Sequence, residues 1–132
     1  MKQETIFGAP AHRHPNGGGL VADTAYVAST AYVGPNARVL GDARVYGKAW
    51  VFGNARVCGN AQVYGNARVF GDALVFGNAQ VYGNARVYGN ARVYSNARVY
   101  GKAWVYGDAR VYSNARVATA DTILNPYFAR RS

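Results

Sequence analysis

The chain has 132 residues, the length of a single domain. Half of them are apolar, yet no apolar run reaches the length of a membrane-spanning helix, which argues against a membrane partner. Lys and Arg number 15 against 6 Asp and Glu, a net charge of +9 that favours anionic partners such as nucleic acid, acidic protein or acidic polysaccharide.

The first residues, Met1-Lys2-Gln3-Glu4-Thr5, carry no apolar stretch of the secretory-leader kind. Cys58 is the single cysteine, so no disulfide closes within the chain and nothing argues for an oxidising compartment. The expectation is a cytoplasmic protein.

Residues 1–19 lie outside any repeat and read as an N-terminal cap. Pro10, Pro15 and Gly17-Gly18-Gly19 argue there against a helix or a long strand. Ile6, Phe7 and Leu20 are candidates to fold over the open end of whatever follows.

From residue 20 to residue 124 one six-residue sentence recurs, Gly-Asn-Ala-Arg-Val-Tyr with small edits. Val holds every sixth position from Val21 to Val117, 17 times, and Ile123 keeps the phase. Ala holds every sixth position from Ala25 to Ala115, 16 times, always two residues before a Val. A period of six fits neither a helix nor an uninterrupted strand. It fits a short strand, a turn and a restart, which is the signature of a solenoid. Side chains alternate along a strand, so Ala and Val share one side and Arg and Tyr the other. The uniform pair belongs inside, because a narrow core tolerates little change in volume. Gly-Asn, Gly-Asp, Gly-Lys or Ser-Asn makes the corner, where left-handed backbone angles suit Gly and Asn. On that reading Lys48 and Lys102 are costlier corners.

Residues 125–132 break the repeat at Pro126. They read as a C-terminal cap with Tyr127 and Phe128 as lid residues, because an open coil end would leave backbone edges and core uncovered.

The aliphatic residue recurring every six positions, with a small residue beside it, resembles the hexapeptide-repeat left-handed β-helix family. The closest variety is the Gly-Asn-Ala-Arg-Val-Tyr type of bacterial and phage-borne proteins, often labelled acyltransferase-like. The resemblance implies an all-β fold: a left-handed parallel β-helix of about six triangular coils, three hexads to a coil, over residues 20–124. A right-handed, bactofilin-like β-helix is the alternative architecture.

With three hexads to a coil, residues eighteen apart stack, and three outward faces follow. The tyrosine face carries Tyr46, Tyr64, Tyr82 and Tyr100 beside Arg44, Gln62, Gln80 and Arg98. The tryptophan face carries Phe52, Phe70, Tyr88 and Tyr106 beside Trp50, Arg68, Arg86 and Trp104. The cysteine face carries Leu40, Cys58, Phe76, Tyr94 and Tyr112 beside Arg38, Arg56, Leu74, Arg92 and Arg110. Stacked rings and Arg–ring contacts stiffen such a coil from outside. The tryptophan face, taken whole, predicts a large exposed apolar patch of the kind that marks an interaction site. It is expected to dock a protein partner or a second copy, as in a homotrimer.

Chemistry is harder to place. Hexapeptide acyltransferases resemble this chain in scaffold, use a His as general base, and bind acyl-CoA between subunits. Here His12 and His14 both fall in the N-terminal cap, and the repeats hold no His and no Glu. His12-Arg13-His14 is a weak metal signal without a Cys or carboxylate cluster beside it. Asp72 and Asp108 share a corner line two coils apart, too far to hold one ion. Cys58 reads as an exchanged ring position rather than a nucleophile. Gly17-Gly18-Gly19 is no phosphate loop, since neither Lys-Ser/Thr nor a helix follows. Arg interleaved with aromatics also suits single-stranded nucleic acid or another polyanion, although the charge is spread over all three faces. The sequence therefore predicts a scaffold or binding protein with no catalytic residue, metal or cofactor. Nucleic-acid binding and acyl-CoA-dependent transfer are its alternatives.

Overall fold

The computed structural model describes residues 4–6, 9–118 and 122–123, with side chains from Pro10 to Ala118. The lids expected from Ile6, Phe7, Tyr127 and Phe128 lie outside the described side chains.

Each hexad forms a strand only two residues long, Arg-Val or its equivalent, because a Gly-led turn arrives before the strand can lengthen. The turn around Gly47 shows the device. Gly47 adopts φ +65°, and Ala49 N–H donates to Tyr46 C=O at 3.4 Å. Positive φ at the first central residue of a turn suits Gly, which has no Cβ to clash. The second corner residue is not left-handed. Among the described residues, the non-Gly positions at positive φ are Ser95 (58°) and Ser113 (56°), both standing where the repeat has Gly. Lys48 and Lys102 therefore carry no left-handed cost, contrary to the sequence expectation. The costly corners are the two Ser.

Eighteen residues bring the chain back above itself. Val63 pairs in parallel register with Val45 below and Val81 above, and the same step relates Val51, Val69 and Val87. The strands sort into three sheets, one along each face of the coil, of eight, six and six strands. Backbone bonds also join the corners, as from Lys48 N–H to Gly65 C=O at 2.9 Å. The result is an all-β parallel β-solenoid of about five turns, with no helix among the described residues. None of the described residues forms a helix long and apolar enough to cross a membrane.

The core is as the period demands. Val33 through Val117 and Ala31 through Ala115, at every sixth position, are at most 1% exposed. Val27, in the terminal strand β4 (Tyr26–Val27) of the tyrosine face, is only part-buried.

The N-terminal segment extends a sheet. Strands β1 (Glu4–Ile6), β2 (Ala9–Arg13) and β3 (Leu20–Ala22) pair antiparallel in series, and β3 is the first strand of the cysteine face. Strand β2 has five residues, an ordinary length, and Pro10 lies within it. Pro10 is tolerated because it stands one residue before the β2–β3 register, where its carbonyl accepts from Asp23 N–H at 2.9 Å. The following loop covers β5 (Tyr32–Val33), the terminal strand of the tryptophan face. Val33 N–H donates to Asn16 C=O at 3.1 Å, and Gly19 N–H donates to Val33 C=O at 2.9 Å. The approach needs glycine: a Cβ on Gly17 would lie 2.2 Å from the Val33 oxygen, and one on Gly19 would lie 2.3 Å from Val33 Cγ1.

Candidate binding face

The tryptophan face is built by β8 (Trp50–Val51), β11 (Arg68–Val69), β14 (Arg86–Val87) and β17 (Trp104–Val105) in consecutive register. Each strand points its Val into the core and its other side chain to solvent. Trp50, Arg68, Arg86 and Trp104 therefore line up in one outward column, as the eighteen-residue arithmetic predicts.

The column forms a stack. The Arg68 guanidinium lies over the Trp50 ring, 5.1 Å from its centroid, and Arg86 lies 5.6 Å from that of Trp104. Two like charges on adjacent strands thus each turn toward an indole, which lowers the repulsion that stacked Arg would otherwise suffer. The opposite side of Trp50 meets Tyr32, with ring centroids 5.3 Å apart and planes tilted by 43°. Tyr32 was absent from the sequence expectation, although its place eighteen residues before Trp50 marks it.

Beside this column runs a second, of Phe52, Phe70, Tyr88 and Tyr106. Their rings stack nearly parallel, with centroids 4.8 to 5.2 Å apart. Trp50 also meets Phe52 edge to face at 6.0 Å. Here the structure corrects the expectation of a large apolar patch. The rings cover one another's faces and are half-buried, so solvent sees mostly their edges. What stands out is Trp50, 44% exposed, and Trp104, 43% exposed.

An open furrow runs along the Trp–Arg column. Lys48, Trp50, Arg68 and Arg86 line its first part, and Arg86, Lys102 and Trp104 continue it, with Asn84 common to both. The Lys–Ala–Trp spacing signals Lys48 and Lys102 in the sequence, since a corner residue two before the outward column shares its edge of the face.

The tyrosine face has a furrow of its own, lined by Thr24, Tyr26, Asp42, Arg44, Asn60 and Gln62, with Tyr26 56% exposed. Tyr46, Tyr64, Tyr82 and Tyr100 stack at 4.8 to 5.2 Å. Tyr46 Oη donates to Gln62 Oε1, and Tyr64 Oη to Gln80 Oε1, each at 3.2 Å. The Gln pair thus dilutes the Arg44–Arg98 charge column and also anchors two hydroxyls. Burial, reinforced by the neighbouring Tyr46 and Tyr82 and partly offset by Arg98, raises the Tyr64 hydroxyl pKa above the usual tyrosine value. On the tryptophan face burial and Tyr106 do the same for Tyr88, with Arg86 opposing.

The sequence-flagged polar residues go elsewhere. Cys58 is half-buried in the outer column of the cysteine face, and burial lifts its thiol pKa against the pull of Arg56. Asp72 and Asp108 each accept from the Asn one coil below, Asn54 at 3.3 Å and Asn90 at 3.4 Å. His14 is buried, and its Nε2 donates to Ala31 C=O at 2.9 Å. His12 is exposed, with Nδ1 2.7 Å from Asp23 Oδ1, so the two imidazoles serve different partners. Sequence reasoning missed the His12–Asp23 pair, because it depends on the β2–β3 hairpin bringing the two segments together.

Fold and faces define the class: a β-solenoid repeat protein whose outer walls are aromatic and basic. A family model described as the YdcK beta solenoid repeat matches residues 61–77, 79–95 and 91–107, within the most regular part of the repeat. No curated protein and no solved structure matches the chain.

Proposed function

We propose that this solenoid is a scaffold that works by binding rather than by catalysis, docking a protein through its tryptophan face. The finer architecture belongs to the same reading: six left-handed triangular coils, counting the hexads out to Leu124. Supporting it is one observation, the pair of half-exposed indoles three strands apart, each held by an Arg and flanked by a corner Lys. Trp, Tyr and Arg are enriched among the few residues that dominate binding energy at protein interfaces. The rigid coil presents them in fixed geometry, which lowers the entropy lost on docking.

The test places a photo-crosslinking residue at position 104 on this face, and at position 62 on the tyrosine face, in the producing cell. A discrete crosslinked product of one protein at 104 and not at 62 is expected. Equal products at both positions, or none at 104, would sink the reading.

One observation favours a second reading, acyl transfer. The His12–Asp23 pair leaves the His12 ring oriented by a carboxylate, as a general base requires. Titration with acetyl-CoA, followed by thioester turnover in the wild type and His12→Gln, decides it. Saturable binding with turnover lost in the variant would move the assignment to an enzyme.

A further inference from the structure

The charge on the tryptophan face is unlike that on the other two. Its four central hexads, residues 48–53, 66–71, 84–89 and 102–107, contain Lys48, Arg68, Arg86 and Lys102 and no acidic residue. The cysteine face carries Arg38, Arg56, Arg92 and Arg110, but Asp108 shares a hexad with Arg110, and Asp72 stands in the Leu74 hexad between those of Arg56 and Arg92. The tyrosine face sets Asp42 beside Arg44 and replaces two Arg by Gln62 and Gln80. The unanswered cations sit along the furrow that holds the two exposed Trp.

We infer that the occupant of this face is an extended acidic peptide segment of another protein, lying along the solenoid axis over Lys48, Arg68, Arg86 and Lys102. The inference rests on the protein-docking reading above and names its partner.

Charge complementarity selects the occupant. A second copy docking face to face would set Lys and Arg against Lys and Arg, an arrangement that opposes association. A single nucleic-acid strand is attracted by the charge but gains the energy of its base contacts by stacking on free ring faces. On Trp50, Phe70 and Tyr88 those faces are taken. Trp50 has Tyr32 on one side and Arg68 on the other. Phe70 and Tyr88 have a stacked ring on each side. Inserting a base would require prying apart strands locked by backbone hydrogen bonds, as from Arg68 N–H to Ala85 C=O at 3.0 Å.

What remains on offer is cationic donors and indole edges, which suit carboxylates. From Lys48 to Lys102 is three strand spacings, about 14 Å in all. An extended chain rises about 3.3 Å per residue, so about five residues cover that length with alternate side chains on the cationic side.

The experiment is fluorescence anisotropy of dye-labelled octaglutamate, with dye-labelled octathymidylate as the competing class, at low and near-physiological salt. Octaglutamate is expected to bind saturably and to weaken as salt rises. The double variant Arg68→Gln/Arg86→Gln should bind at least about 10-fold more weakly, and Lys48→Gln/Lys102→Gln, which leaves the Trp stacks untouched, should also lose affinity. The control pair Arg38→Gln/Arg56→Gln on the cysteine face should change it by less than roughly threefold. Absence of octaglutamate binding at low salt, or equal losses from both faces, overturns the inference. Tighter binding of octathymidylate overturns it too, in favour of nucleic acid. A crosslink at position 104 without octaglutamate binding would remove the acidic partner and leave protein docking standing. Octaglutamate binding without a crosslink at position 104 would sink the docking reading and, with it, the acidic partner that rests on it.

Discussion

The Arg68 guanidinium lies over the Trp50 ring at 5.1 Å, one coil above it, and this contact couples two strands through their outward side chains. Exposed Arg–indole contacts contribute about 0.5–1 kcal/mol. A double-mutant cycle with Arg68→Met and Trp50→Leu should therefore show a coupling of about 0.5–1 kcal/mol in urea unfolding. A coupling of zero would mean that the pair is adjacent without attraction.

Val81 is completely buried between Val63 and Val99. Val81→Asp puts a carboxylate in a core with no cation to pair it, a change of the order of 3–5 kcal/mol. Cooperative thermal melting should disappear, with near-wild-type far-UV circular dichroism lost at room temperature. A retained sharp transition would contradict the inward assignment of the Val column.

Corner glycines and the two corner serines make opposite predictions. Gly65 stands at φ +67°, and a Cβ there would meet Gly83 N at 3.0 Å. Gly65→Ala should cost about 1–2 kcal/mol. Ser95 already pays this cost at φ 58°, so Ser95→Gly should stabilise by about 1 kcal/mol. Denaturant midpoints of the two variants should move in opposite directions.

The tyrosine columns set an alkaline limit. Tyr64 and Tyr88 have pKa values raised on folding, chiefly by burial and then by neighbouring tyrosines, each opposed by a nearby Arg. A raised folded value means the folded state holds its proton more tightly. Their contribution to stability is complete below the unfolded tyrosine value, about 10, and is lost as pH rises through the folded values. Melting temperature should fall above pH 10, and Tyr64→Phe should flatten that fall.

Burial lifts the Cys58 thiol despite Arg56, so little thiolate forms at neutral pH. Alkylation by iodoacetamide should run slower than for an unstructured cysteine peptide at the same pH. A faster rate would reveal an activated thiol.

Much of this molecule was legible without coordinates because its order is periodic. Ala and Val two residues apart must share a side of any strand, and a six-residue period leaves room only for a strand and a corner. Together these assign the core, and the eighteen-residue stack then groups Trp50, Arg68, Arg86 and Trp104 on one face. Folding decided what periodicity does not encode. It chose Gly47 rather than Lys48 for the left-handed angle, since a turn's φ values depend on where its closing hydrogen bond falls. It turned the rings to cover each other, so that the expected apolar wall became ring edges with two projecting indoles. It joined His12 to Asp23 and laid Gly17 and Gly19 against Val33 through a hairpin whose first strand lies outside the repeat. A repeating sequence specifies contacts at fixed separation. Contacts at irregular separation, and the rotation of each side chain within its column, are set only when distant segments close-pack against one another.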